Sequence, residues 1–247
     1  MCRIGIVLVI LTLVCVQGMY SDIIDAPYMA AVFWLQGDVY KFHCNGAIIS
    51  SRHVLTSATC VGDKFAFRDI FVRVGSSNHL YGGQKHFVEN VNRHFKFSPD
   101  LDADIAILRL SEPLKLSSRV AMVNLPERDL SQNEANLPKA FSYADNGFSG
   151  GYDSMQQIST SESQTNLACN AYFKPNYLNR DLISDNMMCL RLFNAPRNRI
   201  FGAPWVHNST IYGLYSWERR CSLFNYQPLF IFTKVAAFTD WIKNWVR

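Results

Sequence analysis

Apolar residues in this chain come in short runs, and polar turns separate them. Met29 to Leu35, Ala47 to Ser51, Ile70 to Val74, Ile105 to Leu110, Thr210 to Trp217 and Leu229 to Val235 all have strand length. Gly-Gly at 82–83, Ser-Pro at 98–99 and Gly-Gly at 150–151 punctuate the chain with turn chemistry. Many short strands with no helical pattern alternating between them predict an all-β barrel or sandwich. The end of the chain changes period. Val235, Phe238, Trp241, Ile242 and Trp245 recur at helical spacing, with Asp240, Lys243 and Asn244 between them. This predicts a short amphipathic helix over about 236–246 that packs on the β domain through its apolar stripe.

The first residues follow a different rule. Arg3 precedes an uncharged apolar run from Ile4 to Val16, and Val16-Gln17-Gly18 offers residues suited to cleavage. Residues 1–18 therefore read as a secretory signal peptide, with the mature chain starting near Met19. A membrane anchor is disfavoured, because a bilayer-spanning helix needs about 20 apolar residues. No later run is long enough, so no membrane contact is expected. The net charge of +4 is too modest to argue for nucleic acid.

Of seven cysteines, Cys2 and Cys15 fall within the signal, leaving Cys44, Cys60, Cys169, Cys189 and Cys221. An oxidising compartment makes disulfides the default. The odd number leaves one thiol that is either free or linked to another molecule. No Cys/His spacing suggests a metal, and no cofactor is expected.

Ordered landmarks carry a family resemblance. Cys44-Asn45-Gly46-Ala47-Ile48-Ile49-Ser50 followed by Leu55-Thr56-Ser57-Ala58-Thr59-Cys60 resembles the histidine segment of trypsin-like serine proteases. That family writes roughly Cys-Gly-Gly-Ser-Leu-Ile and then Val-Leu-Thr-Ala-Ala-His-Cys. Asp104-Ile105-Ala106-Ile107-Leu108-Arg109-Leu110 resembles its aspartate segment, and Gly213-Leu214-Tyr215-Ser216-Trp217 its substrate-lining strand. Thr233-Lys234-Val235 with Asp240-Trp241-Ile242 resembles its C-terminal ending. The resemblance spans essentially the whole mature chain. It implies two packed six-stranded antiparallel β-barrels, the first over about 25–125 and the second over about 126–235, with the site between them. It also implies the pairs Cys44–Cys60 and Cys169–Cys189. The family's partner for Cys221 aligns near Arg197, so Cys221 is expected to be unpaired.

At the family's site the sequence departs from the chemistry. The family's template is a nucleophilic serine, an imidazole that takes its proton, and a carboxylate that orients the imidazole. Asp104 keeps the carboxylate position, but Thr59 stands at the histidine. Arg199-Ile200-Phe201-Gly202-Ala203-Pro204 matches the family's Gly-Asp-Ser-Gly-Gly-Pro, which places Phe201 at the serine and Arg199 at an oxyanion-shaping glycine. Ile200 takes the position whose carboxylate receives the new ammonium when family members are cut and activated. From Met19 to Tyr40 there is no Lys or Arg to cut after. Two pocket glycines appear as Glu218 and Phe230, and the residue that selects basic substrates aligns near Ala195. His43, His53, His79, His86, His94 and His207 are scattered, and none is at the required position. Asp104 reads as a structural relic that accepts from Ser216, with Thr59 supplying a further hydroxyl.

The resemblance therefore implies a secreted, non-catalytic homologue that acts by protein binding, as regulator, cofactor or decoy in extracellular proteolysis. The alternative is an active serine endopeptidase with a rewired site, and a third reading is a storage or structural secretory protein. Arg191, Arg197, Arg199, Arg219 and Arg220 are expected on loops framing the old site, near Phe201, Trp205 and Trp217. With Glu218 they suggest a surface for an extracellular partner, acidic in character, since Arg and Trp are enriched at interface hot spots. Solvated arginines and core aromatics are the plain alternative. Asn208-Ser209-Thr210 is an N-glycosylation sequon, though its neighbours place it against a strand, where access would be poor.

Overall fold

A computed structural model describes residues 21–62, 66–97, 101–130, 134, 138–143, 154–173, 182–193, 200–219 and 229–246. Two closed barrels hold the strands. The first runs β1 (Met29–Gln36), β2 (Val39–Ser50), β3 (His53–Thr56), β6 (Ala106–Leu110), β5 (Gln84–Arg93) and β4 (Ile70–Val74) in spatial order. The second is built from β7 (Lys139–Tyr143), β8 (Met155–Gln164), β9 (Met187–Phe193), β12 (Leu229–Lys234), β11 (Thr210–Arg219) and β10 (Pro204–His207). Every strand pair is antiparallel. Closure leaves no exposed sheet edge among the described strands.

The strands read as continuous apolar runs because several are buried on both faces. In β1, Ala30 and Val32 fill the first barrel, while Met29, Ala31 and Phe33 join a second core shared with the other barrel. In β6, Ala106, Leu108 and Leu110 point into the barrel and Ile107 into the shared core. That shared core also takes Phe141, Tyr143 and Met155 from β7 and β8, and Ile211 and Leu214 from β11. Fully burying one such side chain contributes roughly 1.5–3 kcal/mol. In β12, Phe230 and Phe232 fill the second barrel, whereas Leu229 and Ile231 back onto the Cys169–Cys189 disulfide and α1 (Asn166–Phe173).

The C-terminal helix is shorter than its apolar spacing predicts. Val235–Phe238 is a 3₁₀ turn, and α2 proper covers Thr239–Val246. Phe238 and Ile242 enter the shared core, with Trp241 and Val246 packed against it. Trp245 does not complete the stripe and remains 48% exposed. No helix among the described residues is long and apolar enough to cross a membrane.

Candidate functional site

The site positions lie where β3, the turn after it, β6, β11 and the segment 200–203 converge. Gly202 fixes this convergence. Its φ of +72° suits glycine, and a Cβ there would run into the Asn45 carbonyl and the Thr56 hydroxyl. Three backbone hydrogen bonds hold the segment: Asn45 N–H donates to the Phe201 carbonyl at 2.8 Å, Gly202 N–H to Tyr215 at 2.9 Å and Tyr215 N–H to Ala203 at 2.9 Å. Phe201 is thereby placed beside the β2–β3 corner.

Asp104 is buried at the base of this corner. Its carboxylate accepts the Thr59 backbone N–H at 2.7 Å, the Thr59 hydroxyl at 3.0 Å and the Ser216 hydroxyl at 2.5 Å. No imidazole is among its partners. Burial raises its pKa from the ordinary value to about 6, against the pull of the Ser216 and Thr59 hydrogen bonds. Burial wins because desolvation penalises the anion more than neutral donors favour it. The approach to Asp104 is strained: Leu101 and Ala103 have φ of +61° and +52°, a left-handed conformation that side-chain-bearing residues rarely adopt.

Phe201 offers no atom that can attack a carbonyl. Its ring packs against the interior clusters of both barrels, with its centroid 5.9 Å from Tyr215. Ile200 is fully buried in the second barrel's core. Ile23 is likewise buried, but as an internal residue of a 3₁₀ turn. Its N–H donates to the Ser77 hydroxyl at 2.9 Å, and the Asp22 and Asp25 side chains cap the turn. At the pocket, Glu218 on β11 lies opposite Phe230 on β12. Phe230 is 2% exposed, with its ring 6.1 Å from Tyr215.

The cysteines form Cys44–Cys60 and Cys169–Cys189, with Cα separations of 6.0 and 6.6 Å. Trp217 packs on Phe173 at 5.8 Å, on the edge of the cluster around the second disulfide. Arg197, Arg199, Arg220 and Cys221 lie outside the described residues. Other expectations need correction. Neither Arg191 nor Arg219 is on a loop: Arg219 is the last residue of β11, and Arg191 sits on β9 and pairs with Glu162 of β8 at 3.3 Å. Trp205 is not a surface aromatic. It fills the second barrel, and its indole N–H is satisfied by the Thr160 hydroxyl at 2.8 Å. The sequon is not inside a strand either, since Asn208 and Ser209 form the exposed tip of the β10–β11 hairpin. Three of the histidines have contacts away from this site. His53 meets Ser50 at 2.8 Å, His79 lies against Phe42 at 4.4 Å, and His94 is packed among Phe95, Phe238 and Trp241. Among the described residues no cluster of His, Cys, Asp and Glu could hold a metal ion.

Asn45 was missed in the sequence. It is fully buried on β2, and its side chain bridges to the second barrel. Its amide donates to the Ser142 hydroxyl and the Tyr143 carbonyl, both at 3.3 Å, and its side-chain oxygen accepts the Tyr143 N–H at 2.8 Å. The Thr56 hydroxyl donates to its backbone carbonyl at 2.7 Å. The signal for it is the asparagine where the family motif after Cys44 writes glycine.

Comparison with known proteins places this geometry. The protein-family model described as Trypsin matches residues 15–242. Trypsin 5G1 of Aedes aegypti is 27% identical over 233 residues, covering 93% of this chain and 84% of its own. Trypsin of Phaedon cochleariae is 28% identical over 239 residues, covering 93% and 87%. Among solved structures, scabies mite inactivated protease paralogue S-D1 superposes with a TM-score of 0.77 at 21% identity, over 93% of this chain and 96% of that one. Scabies mite inactivated protease paralogue S-I1 has a TM-score of 0.75 at 26% identity, over 93% and 98%.

Proposed function

The chain belongs to the trypsin family, and we propose that it is a secreted, non-catalytic member that works by binding another protein. The observation that carries this reading is Phe201, an aromatic ring wedged between the two barrels at the nucleophile position. Thr59 adds to it. A threonine hydroxyl cannot take up a proton near neutral pH, so the general base is lost together with the nucleophile. The inactivated protease paralogue S-I1 supports the reading as a relative of similar fold. Secretion is supported by residues 1–18 and by two disulfides, which persist in oxidising compartments.

The activation switch is absent in this reading as well. Ile23 is an internal residue and Ile200 carries no charge, so no new ammonium is needed to shape the site. The protein reaches its final fold uncut. The partner surface in this reading is the remodelled cleft beside Trp217 and Glu218 of β11, and the partner is an acidic extracellular protein, to which Arg197 and Arg199 would add charge complementarity.

A fluorophosphonate probe on the purified protein tests the core of the reading. No labelling is expected, and covalent labelling would overturn it. The relatives named trypsins favour the second reading, an active endopeptidase, and labelling is the result that reading requires. Pull-down from the source fluid separates a binder from a storage protein. A binder enriches one partner reproducibly, and the double reversal Arg197→Glu with Arg199→Glu weakens that capture.

A further inference from the structure

We propose that Asn208 carries an N-linked glycan whose first sugars lie in the groove between the second barrel and the segments 24–28 and 121–122. The proposal rests on the secretory reading, because the transfer takes place in the secretory lumen. Asn208-Ser209-Thr210 fits the acceptor pattern, and it is the one such tripeptide in the 247 residues.

The fold makes this tripeptide accessible. It is a hairpin tip, with φ of +46° at Asn208 and +57° at Ser209, and both residues are exposed. Asparagine tolerates this conformation well, so the turn by itself is a reason for its presence. A turn-forming asparagine, however, commonly ties its side chain to nearby backbone. Here the Asn208 amide has no hydrogen-bond partner among the described residues. Thr210 directs its hydroxyl to the Asn208 carbonyl at 3.4 Å. The nitrogen that would take the sugar is thus unengaged.

The groove beside the tip supplies the second observation. It is an open groove of about 640 Å³ between the second barrel and the segments 24–28 and 121–122, and Asn208 and Ser209 belong to its lining. Ile24 and Met122 on this lining are 56% and 48% exposed, and Lys139, Gln157 and His207 stand near them. Apolar side chains beside hydrogen-bonding groups suit a sugar ring, which has a C–H face and a hydroxyl edge. A glycan rooted at Asn208 starts on the groove wall and needs no spacer to reach it.

The modification is a group transfer from a lipid-diphosphate-linked oligosaccharide. The Asn208 Nδ2–C1 bond forms as the C1–oxygen bond to the diphosphate breaks. The amide loses one proton and the lipid diphosphate leaves.

Translation of the full chain with microsomes tests the site. The expected product is protease-protected and shifted by one glycan, and endoglycosidase removes the shift. Asn208→Gln and Thr210→Ala abolish it, whereas Ser209→Ala keeps it. A protected chain without the shift overturns the glycan. An unprotected chain instead overturns the secretory reading, and residues 19–247 behind a proven signal then test Asn208 by itself. Hydrogen exchange tests the seat. Trimming the glycan to one sugar should raise exchange in 24–28 and 119–122 severalfold. Unchanged exchange there overturns the groove placement.

Discussion

Two neighbourhoods of the same site have gone different ways. Around Asp104 the polar construction persists: a buried carboxylate, two hydroxyls and a backbone amide, all in hydrogen-bonding contact. Around Phe201 it has been replaced by packing, with Ile200 inside the second barrel and the phenyl ring between both. The physical difference is what removal costs. A buried carboxylate left without donors is costly, so the Ser216 hydroxyl stays with it and the Thr59 hydroxyl donates from the position the family gives to histidine. A surface hydroxyl has no such dependants, and its position is open to an apolar side chain that gains by burial.

The largest test of this contrast is Phe201→Ala. It removes a wedge from both barrels and should destabilise the protein by about 3 kcal/mol, read from urea unfolding. A loss below about 0.5 kcal/mol would mean that the ring is ornament. Ser216→Ala attacks the other neighbourhood. At pH 7 it should cost about 2 kcal/mol, because a hydrogen bond to a buried anion is lost. The cost should shrink at pH 5, where Asp104 is largely protonated. A penalty independent of pH would show that the Ser216 contact does not depend on the charge.

Asp104→Asn sharpens the comparison further. The folded pKa of about 6 lies above the ordinary value, so the folded protein holds a proton that the unfolded chain has already released. Stability from this group therefore falls as pH rises from about 4 to about 6 and is level above that. The difference is on the order of 3 kcal/mol. Asn keeps an acceptor for the Thr59 amide and donors for the two hydroxyls, so the variant should lose this slope while staying folded. A slope that survives must belong to other groups. Asn45→Ala breaks the bridge to Tyr143. It should cost 1–3 kcal/mol, order of magnitude, with faster exchange at the Tyr143 amide. The smallest effect is expected from Thr59→His. Stability should change by about 1 kcal/mol or less, with no turnover of peptide substrates, since Phe201 still occupies the nucleophile position. Measurable hydrolysis by this variant would defeat the non-catalytic reading.

Much of this was written openly in the chain. The strand over Met29–Gln36 was legible because burial on both faces leaves an unbroken apolar run to Leu35, and Ile70–Val74 because only Arg73 interrupts its apolar residues. Glu218 and Phe230 were read only through the resemblance, as the positions of two pocket glycines, and their placement opposite each other came from the register of β11 and β12. Trp205 misled because an indole reads alike in a hot spot and in a core, and its Thr160 partner is 45 residues away. The turn geometry of Asn208 was hidden for a related reason, since β10 and β11 are nearly contiguous in sequence. Helix α1 went unseen because Asn166–Phe173 buries only Cys169, Asn170 and Phe173, too few for a periodic signal.

The core shared between the barrels has a mechanical consequence. Leu55 and Ile107 of one barrel and Leu214 and Phe141 of the other belong to the same cluster, and α2 closes it from the C-terminal side. Opening the cleft would tear apart a packed interior, which interiors resist. The barrels should melt in a single transition, and a partner at the cleft must meet a preformed surface. Recognition is then a matter of fit at the moment of encounter, and affinity differences among related partners should appear as residence times.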